Sequence, residues 1–141
     1  MEKDKVKELL RWAGFARRAA YAPYSKYTVG AAVSAGSGQI YLGANVENVS
    51  YGLSMCAERA AVFSAVASGE RKIRAIAVQG SGSRPAFPCG ACRQVLAEFG
   101  SENLPVVVGT NKKIKTFKLG ELLKHPFQFR HHAPEQNKSD D

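Results

Sequence analysis

Three cysteines, in the segments Cys56-Ala57-Glu58-Arg59 and Pro88-Cys89-Gly90-Ala91-Cys92, constrain this chain most strongly. An odd cysteine count with no visible export signal argues against a disulfide framework and favours metal ligation or catalysis. Each segment opens a predicted helix, from about Cys56 to Ser68 and from Pro88 or Cys89 to Phe99. The spacing of three puts Cys89 and Cys92 on one side of their helix. The positive end of a helix dipole lowers a thiol's pKa, so both helix starts favour thiolates. A fold that brings the two helix starts together would aim three thiolates at one point. Three thiolates without a fourth protein ligand suit a catalytic zinc, whose remaining position stays open. The candidates for a fourth ligand, His125, His131 and His132, lie in or near the C-terminal tail and lack finger-like spacing.

Glu58 lies two residues after Cys56, on nearly the opposite face of a regular helix. At a helix start that geometry relaxes, and both side chains can project toward the metal. Zinc lowers the pKa of a bound water to roughly 7, and a neighbouring carboxylate can then take and return its proton. Taken alone, the Cys-x-x-Cys fragment is equally compatible with a redox pair, half of a structural zinc site or coincidence. The added Cys-Ala-Glu and the proline before Cys89 favour hydrolytic chemistry.

The rest of the chain reads as one α/β domain. Val6, Leu9, Leu10, Ala13, Ala16 and Ala20 form an apolar stripe of helical period over residues 4–20, ended by Pro23. Strands are predicted at 27–34 and 39–42 around a Gly36-Ser37-Gly38 turn, then at 73–78, 105–109 and 114–117, with a short helix at 119–123. Ser54 is the predicted cap of the helix at Cys56, with Gly69 closing it. Strands alternating with helices indicate an α/β sandwich around a mixed sheet. The expected organisation is a single domain over 1–130 and a polar, flexible tail over 131–141.

The net charge of +8 is carried by scattered lysines without a nucleic-acid-binding motif. A solvated surface is the favoured reading, and nucleic acid the less favoured partner. No apolar run approaches the roughly 18 residues needed to span a bilayer. With no apolar leader in residues 1–20, the expected location is the cytoplasm.

The chain resembles the small, homotetrameric cytidine deaminases. Four blocks carry the resemblance, and together they span residues 21 to about 127. They are Tyr24-Ser25 with Val29-Gly30-Ala31-Ala32, Asn45-Val46-Glu47-Asn48 with Ser50-Tyr51-Gly52, Cys56-Ala57-Glu58-Arg59, and Pro88-Cys89-Gly90-Ala91-Cys92-Arg93-Gln94. The two cysteine blocks mark zinc nucleobase deaminases in general. The asparagine block points to nucleoside recognition, although asparagine-rich loops also arise from turn chemistry.

The resemblance implies a three-layer α/β/α sandwich around a mixed five-stranded sheet. It also implies hydrolytic deamination of cytidine and 2′-deoxycytidine with release of ammonia, in pyrimidine salvage. Cys56, Cys89 and Cys92 would hold zinc, and Glu58 would shuttle the proton. Asn45 and Glu47 would bind the ribose, and Tyr27, where relatives usually have phenylalanine, would pack against the pyrimidine. Ala57 would contribute at the helix start. Ser50, Tyr51 and Phe127 would complete a neighbouring subunit's site, with Phe129 a possible substitute for Phe127. Leu122-Leu123-Lys124-His125-Pro126-Phe127 departs from the relatives' usual Leu-Leu-Pro pattern. Arg59, Arg93 or both would donate hydrogen bonds to the thiolates and draw off negative charge. Three alternatives stay open: a polynucleotide deaminase, a deaminase of a nucleoside-like antibiotic, and a non-enzymatic zinc-stabilised binding module.

Overall fold

A computed structural model describes residues 1–110 and 112–129. The expected tail, with His131 and His132, lies outside the described residues. The elements in chain order are α1 (Lys3–Ala16), β1 (Val29–Ala35), β2 (Ile40–Ala44), α2 (Ala57–Ala67), β3 (Ile73–Gly80), α3 (Gly90–Phe99), β4 (Pro105–Gly109), β5 (Ile114–Lys118) and α4 (Leu119–Leu122). Short 3-10 turns occupy Arg17–Ala19 and Tyr51–Leu53.

The strands form one sheet in the order β2-β1-β3-β4-β5. The β3–β4 pair is parallel and the other pairs are antiparallel. The period-2 alternation of strand side chains explains the layering. Ala31, Val33, Ile76, Val78, Val106 and Val108 share a cluster with Ala57, Ala61, Val62 and Ala65 of α2 and Leu96 of α3. The intervening residues Ala32, Ala75, Ala77 and Val107 pack against Leu9, Leu10 and Ala13 of α1. This is the expected three-layer sandwich around a mixed five-stranded sheet, and β5 is its exposed edge.

Three expected boundaries shift for identifiable reasons. The first helix ends at Ala16 and tightens into a 3-10 turn well before Pro23. Tyr21 is instead held extended by the 45–47 loop, donating to the Asn45 carbonyl and accepting from the Glu47 amide. The first strand starts at Val29, because the Tyr27 carbonyl accepts from the Asn45 side chain and the Thr28 amide donates to Ser81. Ser54 does not cap α2. Its hydroxyl accepts from the Asn48 amide, Met55 bridges to Val46, and Cys56 takes the N-cap position.

The far end of α2 closes as expected. Gly69 has φ of +100°. The Gly69 amide donates to the Val66 carbonyl and the Glu70 amide to that of Ala65, giving a Schellman cap. The near end is held against the sheet by Gly43 of β2. A Cβ at that position would lie 2.3 Å from the Ala61 nitrogen and 2.4 Å from the Ala57 carbonyl oxygen. Strand and helix therefore meet backbone to backbone one turn into α2, and this fixes where the helix start stands.

Candidate metal centre and cavity

Cys56 and Cys89 are the N-cap residues of α2 and α3, both with extended backbone and neither making a side-chain cap bond. Their sulfurs turn out of the helices and toward each other. Cys92, fully buried, follows in the first turn of α3. The Cys56 and Cys89 sulfurs are 3.9 Å apart, and those of Cys89 and Cys92 are 3.5 Å apart. All three lie within 4.8 Å of one another. Sulfurs bonded tetrahedrally to one zinc at about 2.3 Å would stand ~3.8 Å apart. The donor set and its spacing therefore fit zinc. His125, the described candidate for a fourth ligand, lines a different cavity and is absent from this cluster.

The sulfurs share charge unevenly among themselves. A hydrogen bond from Cys92 and the neighbouring Arg59 guanidinium bring the Cys56 thiol down to about 5, against the opposing effect of burial. The same pairing with Cys56, and burial, push Cys92 up. The Nη2 of Arg59 donates to the Cys56 sulfur at 3.4 Å, as expected for a cation that draws charge from a thiolate. Its Nε is buried with no partner among the described residues.

Arg93 does not share that task. It follows Cys92 directly, so its side chain leaves the helix about 100° away from the sulfurs. Its Nε and Nη1 donate to the carbonyls of Pro88 and Leu122, each at 2.8 Å.

Glu58 is 5% exposed and stands second in α2, beside Cys56 and Cys92. Burial raises its carboxyl to about 7, and the Cys56 charge adds to the shift. A carboxyl near neutrality can both accept and return a proton at physiological pH.

These groups lie at a cavity of about 360 Å³ whose wall includes Tyr27, Asn45, Glu47, Cys56, Ala57, Glu58 and Cys89. Glu47 is held ready. Its Oε1 accepts from the Tyr24 and Ser25 amides at 3.1 Å each, and its Oε2 from the Ser25 hydroxyl. The Ser25 bonds hold its carboxyl below the usual range. Asn45 fixes the approach to β1, accepting from the Val29 amide at 2.8 Å and donating to the Tyr27 carbonyl at 2.9 Å. Burial and the nearby Glu58 raise the Tyr27 phenol.

The wall also contains Val29, Ser54, Met55, Ala86 and Phe87, none of which sequence reasoning had named as a site residue. Phe87 directly precedes Pro88-Cys89 and packs on Phe117, with ring centroids 5.3 Å apart. That adjacency to the cysteine block was the one available signal for it. Ser50, Tyr51 and Phe127 are absent from the wall. Tyr51 is 76% exposed and Phe127 69%, and the Phe127 ring rests against that of Phe129.

Residues 3–109 match the model of a family described as the cytidine and deoxycytidylate deaminase zinc-binding region. A cytidine deaminase of Sporosarcina psychrophila is 49% identical over 108 residues, 77% of this chain and 79% of that protein. One of Halalkalibacterium halodurans is 46% identical over 120 residues, 84% of this chain and 91% of that protein. The crystal structure of cytidine deaminase from Burkholderia pseudomallei aligns with a TM-score of 0.83 at 45% identity, covering 90% of this chain and 100% of that one. A family match over most of the sheet, relatives covered over 79% and 91% of their length and three sulfurs at zinc-like spacing lead to one assignment: the chain belongs to the cytidine and deoxycytidylate deaminase family.

Proposed function

We propose that the protein hydrolyses cytidine and 2′-deoxycytidine to uridine and 2′-deoxyuridine with release of ammonia. The observation that carries this reading is the meeting of two helix starts. They set three sulfurs at zinc-ligand spacing beside the buried Glu58 carboxyl. Cys56, Cys89 and Cys92 would hold the zinc, which when bound supplies a Lewis acid that makes a water acidic enough to react near neutral pH.

The chain's own groups do the remaining work. Glu58 accepts the proton released by the attacking water and delivers it to N3 of the pyrimidine. It then takes the second proton, from the hydroxyl now on C4, and passes it to the exocyclic amine. The bond from C4 to nitrogen breaks, the water's oxygen stays on C4, and ammonia departs. The Ala57 amide, which at a helix start has no acceptor within the helix, is a donor for that oxygen. Tyr27 packs against the base. Asn45 and Glu47 accept from or donate to the ribose hydroxyls with the lone pairs and protons that their structural bonds leave over. Arg59 withdraws charge from Cys56 and so keeps the metal electrophilic.

The exposure of Ser50, Tyr51 and Phe127 supports a homotetramer in which neighbouring copies complete one another's sites. On this reading residues 1–130 form the single catalytic domain, and the enzyme works in cytoplasmic pyrimidine salvage. No described helix is long and apolar enough to cross a membrane. Nucleosides are the proposed substrates, because Asn45 and Glu47 in the wall of the cavity offer polar groups suited to ribose hydroxyls.

Ammonia release from cytidine, measured with and without a zinc chelator on protein of known solution mass, tests the reading. Single-stranded oligonucleotide is the competing substrate. Chelator-sensitive turnover of cytidine supports it, and turnover of the oligonucleotide alone overturns it.

A further inference from the structure

Three hydrogen bonds join the start of α3 to the end of the described chain, a fourth ties it back to Pro88, and proton transfer at the pyrimidine requires none of them. Arg93 and Gln94 make all four, directly after the ligand Cys92. Arg93 bridges two carbonyls at 2.8 Å each. One belongs to Pro88, whose side chain is buried and which immediately precedes the ligand Cys89. The other belongs to Leu122, the last residue of α4, where a helix leaves its carbonyls unpaired. A planar guanidinium can serve two acceptors in fixed directions, which an ammonium cannot. Gln94 then grips Phe127 at both polar atoms. Its Nε2 donates to the Phe127 carbonyl and its Oε1 accepts from the Phe127 amide, both at 3.0 Å.

We propose that Arg93 and Gln94 are positioning residues that couple the metal centre to the C-terminal segment. Docking of residues 122–127 onto α3 fixes the Pro88–Cys89 backbone in its ligating conformation. Metal binding tightens that segment in return, because coupling between two sites is reciprocal. The metal thereby governs how firmly Phe127 is presented, although nothing from 122 to 127 belongs to the sulfur cluster. The inference rests on zinc being held by the three sulfurs.

Hydrogen exchange by mass spectrometry on the full chain, with and without zinc, tests the coupling. The exchange of β3 serves as the internal measure of global opening. Stripping zinc from the unmodified protein should speed exchange in residues 119–127 about tenfold relative to β3. Arg93→Gln, loaded with zinc, should release the metal to a chromophoric chelator about tenfold faster, the size expected when a group supporting a ligand is lost. Gln94→Ala should loosen 124–127 with a much smaller effect on zinc release, because the Arg93 bridge survives.

Equal acceleration in β3 and the C-terminal segment overturns the proposal. So does a wild-type rate of zinc release from Arg93→Gln, or a rate from Gln94→Ala that matches it. If Arg93→Gln does not fold, the comparison of loaded and stripped wild type decides alone. Protein that carries no zinc by metal analysis refutes the assignment of the metal. Zinc-bearing protein that fails these tests refutes the coupling only.

Discussion

Replacing Gly43 by alanine tests whether the seating of α2 on β2 holds the site. The added Cβ would stand 2.3 Å and 2.4 Å from backbone atoms of Ala61 and Ala57, whereas ordinary contact begins at 3.4 Å. No flexible side chain can yield there, so the start of α2 must retreat by about 1 Å. Overpacking typically costs 1–3 kcal/mol, and a clash with rigid backbone belongs at the upper end. Thermal unfolding should shift down by about 10 °C for a loss of about 3 kcal/mol in a chain of this size. The helix that retreats carries Cys56 at its N-cap and Glu58 in its first turn. A displacement of about 1 Å at reacting groups costs roughly a hundredfold in rate, so kcat/KM for cytidine should fall by that order. Gly43 is absent from the cavity wall, so no direct contact with substrate explains such a loss. Gly36→Ala is the control, since its Cβ would meet Lys72 at an ordinary 3.4 Å. Wild-type melting and turnover in Gly43→Ala would refute the reasoning. A lower melting point with full turnover would show that the site tolerates movement of α2.

The remaining predictions concern the polar groups of the site. Glu58→Gln should keep stoichiometric zinc and lose turnover by at least 10²–10⁴-fold, checked by metal analysis and ammonia release. In zinc-stripped protein, Glu58 lies at about 7 against an unfolded value near 4.5. Its contribution to stability is thus complete below 4.5 and lost as pH rises through 7. Ionisation costs about 3 kcal/mol above that pH, so urea midpoints of stripped wild type should fall between pH 5 and pH 8 more than those of stripped Glu58→Gln. Cys89→Ala should hold no stoichiometric zinc and melt with chelator-treated wild type; zinc retained at one per chain would contradict its role as a ligand. Arg59→Gln should lower turnover about 10- to 100-fold with a much smaller shift in denaturant midpoint, and unchanged turnover with zinc bound would remove Arg59 from the mechanism.

The contrast between what could and could not be read from sequence follows from the range of the interactions. Cys56, Cys89 and Cys92 were legible because metal chemistry demands particular side chains, and helix periodicity converts their spacing into direction. The strands were legible because β1, β3 and β4 bury both faces, one on α1 and the other on α2 and α3, leaving short apolar runs bounded by turns. Where a helix or strand begins depends instead on distant partners. Ser54 is an ordinary capping residue by type, yet its hydroxyl is taken by Asn48, and the N-cap passes to a cysteine with a sulfur to direct elsewhere. Arg93 was legible as a cation beside a ligand. Its bond to Leu122, 29 residues away, was not, because no local pattern encodes which carbonyl a guanidinium will find. The same holds for Gly43, whose missing side chain matters only once α2 lies against it. The residues that supply the chemistry thus announce themselves by type and spacing, while those that hold them in place are chosen by the packed structure. Substitutions at Gly43 and Arg93 therefore test the architecture of this site more sharply than substitutions at its ligands, whose loss any arrangement of the three sulfurs would register.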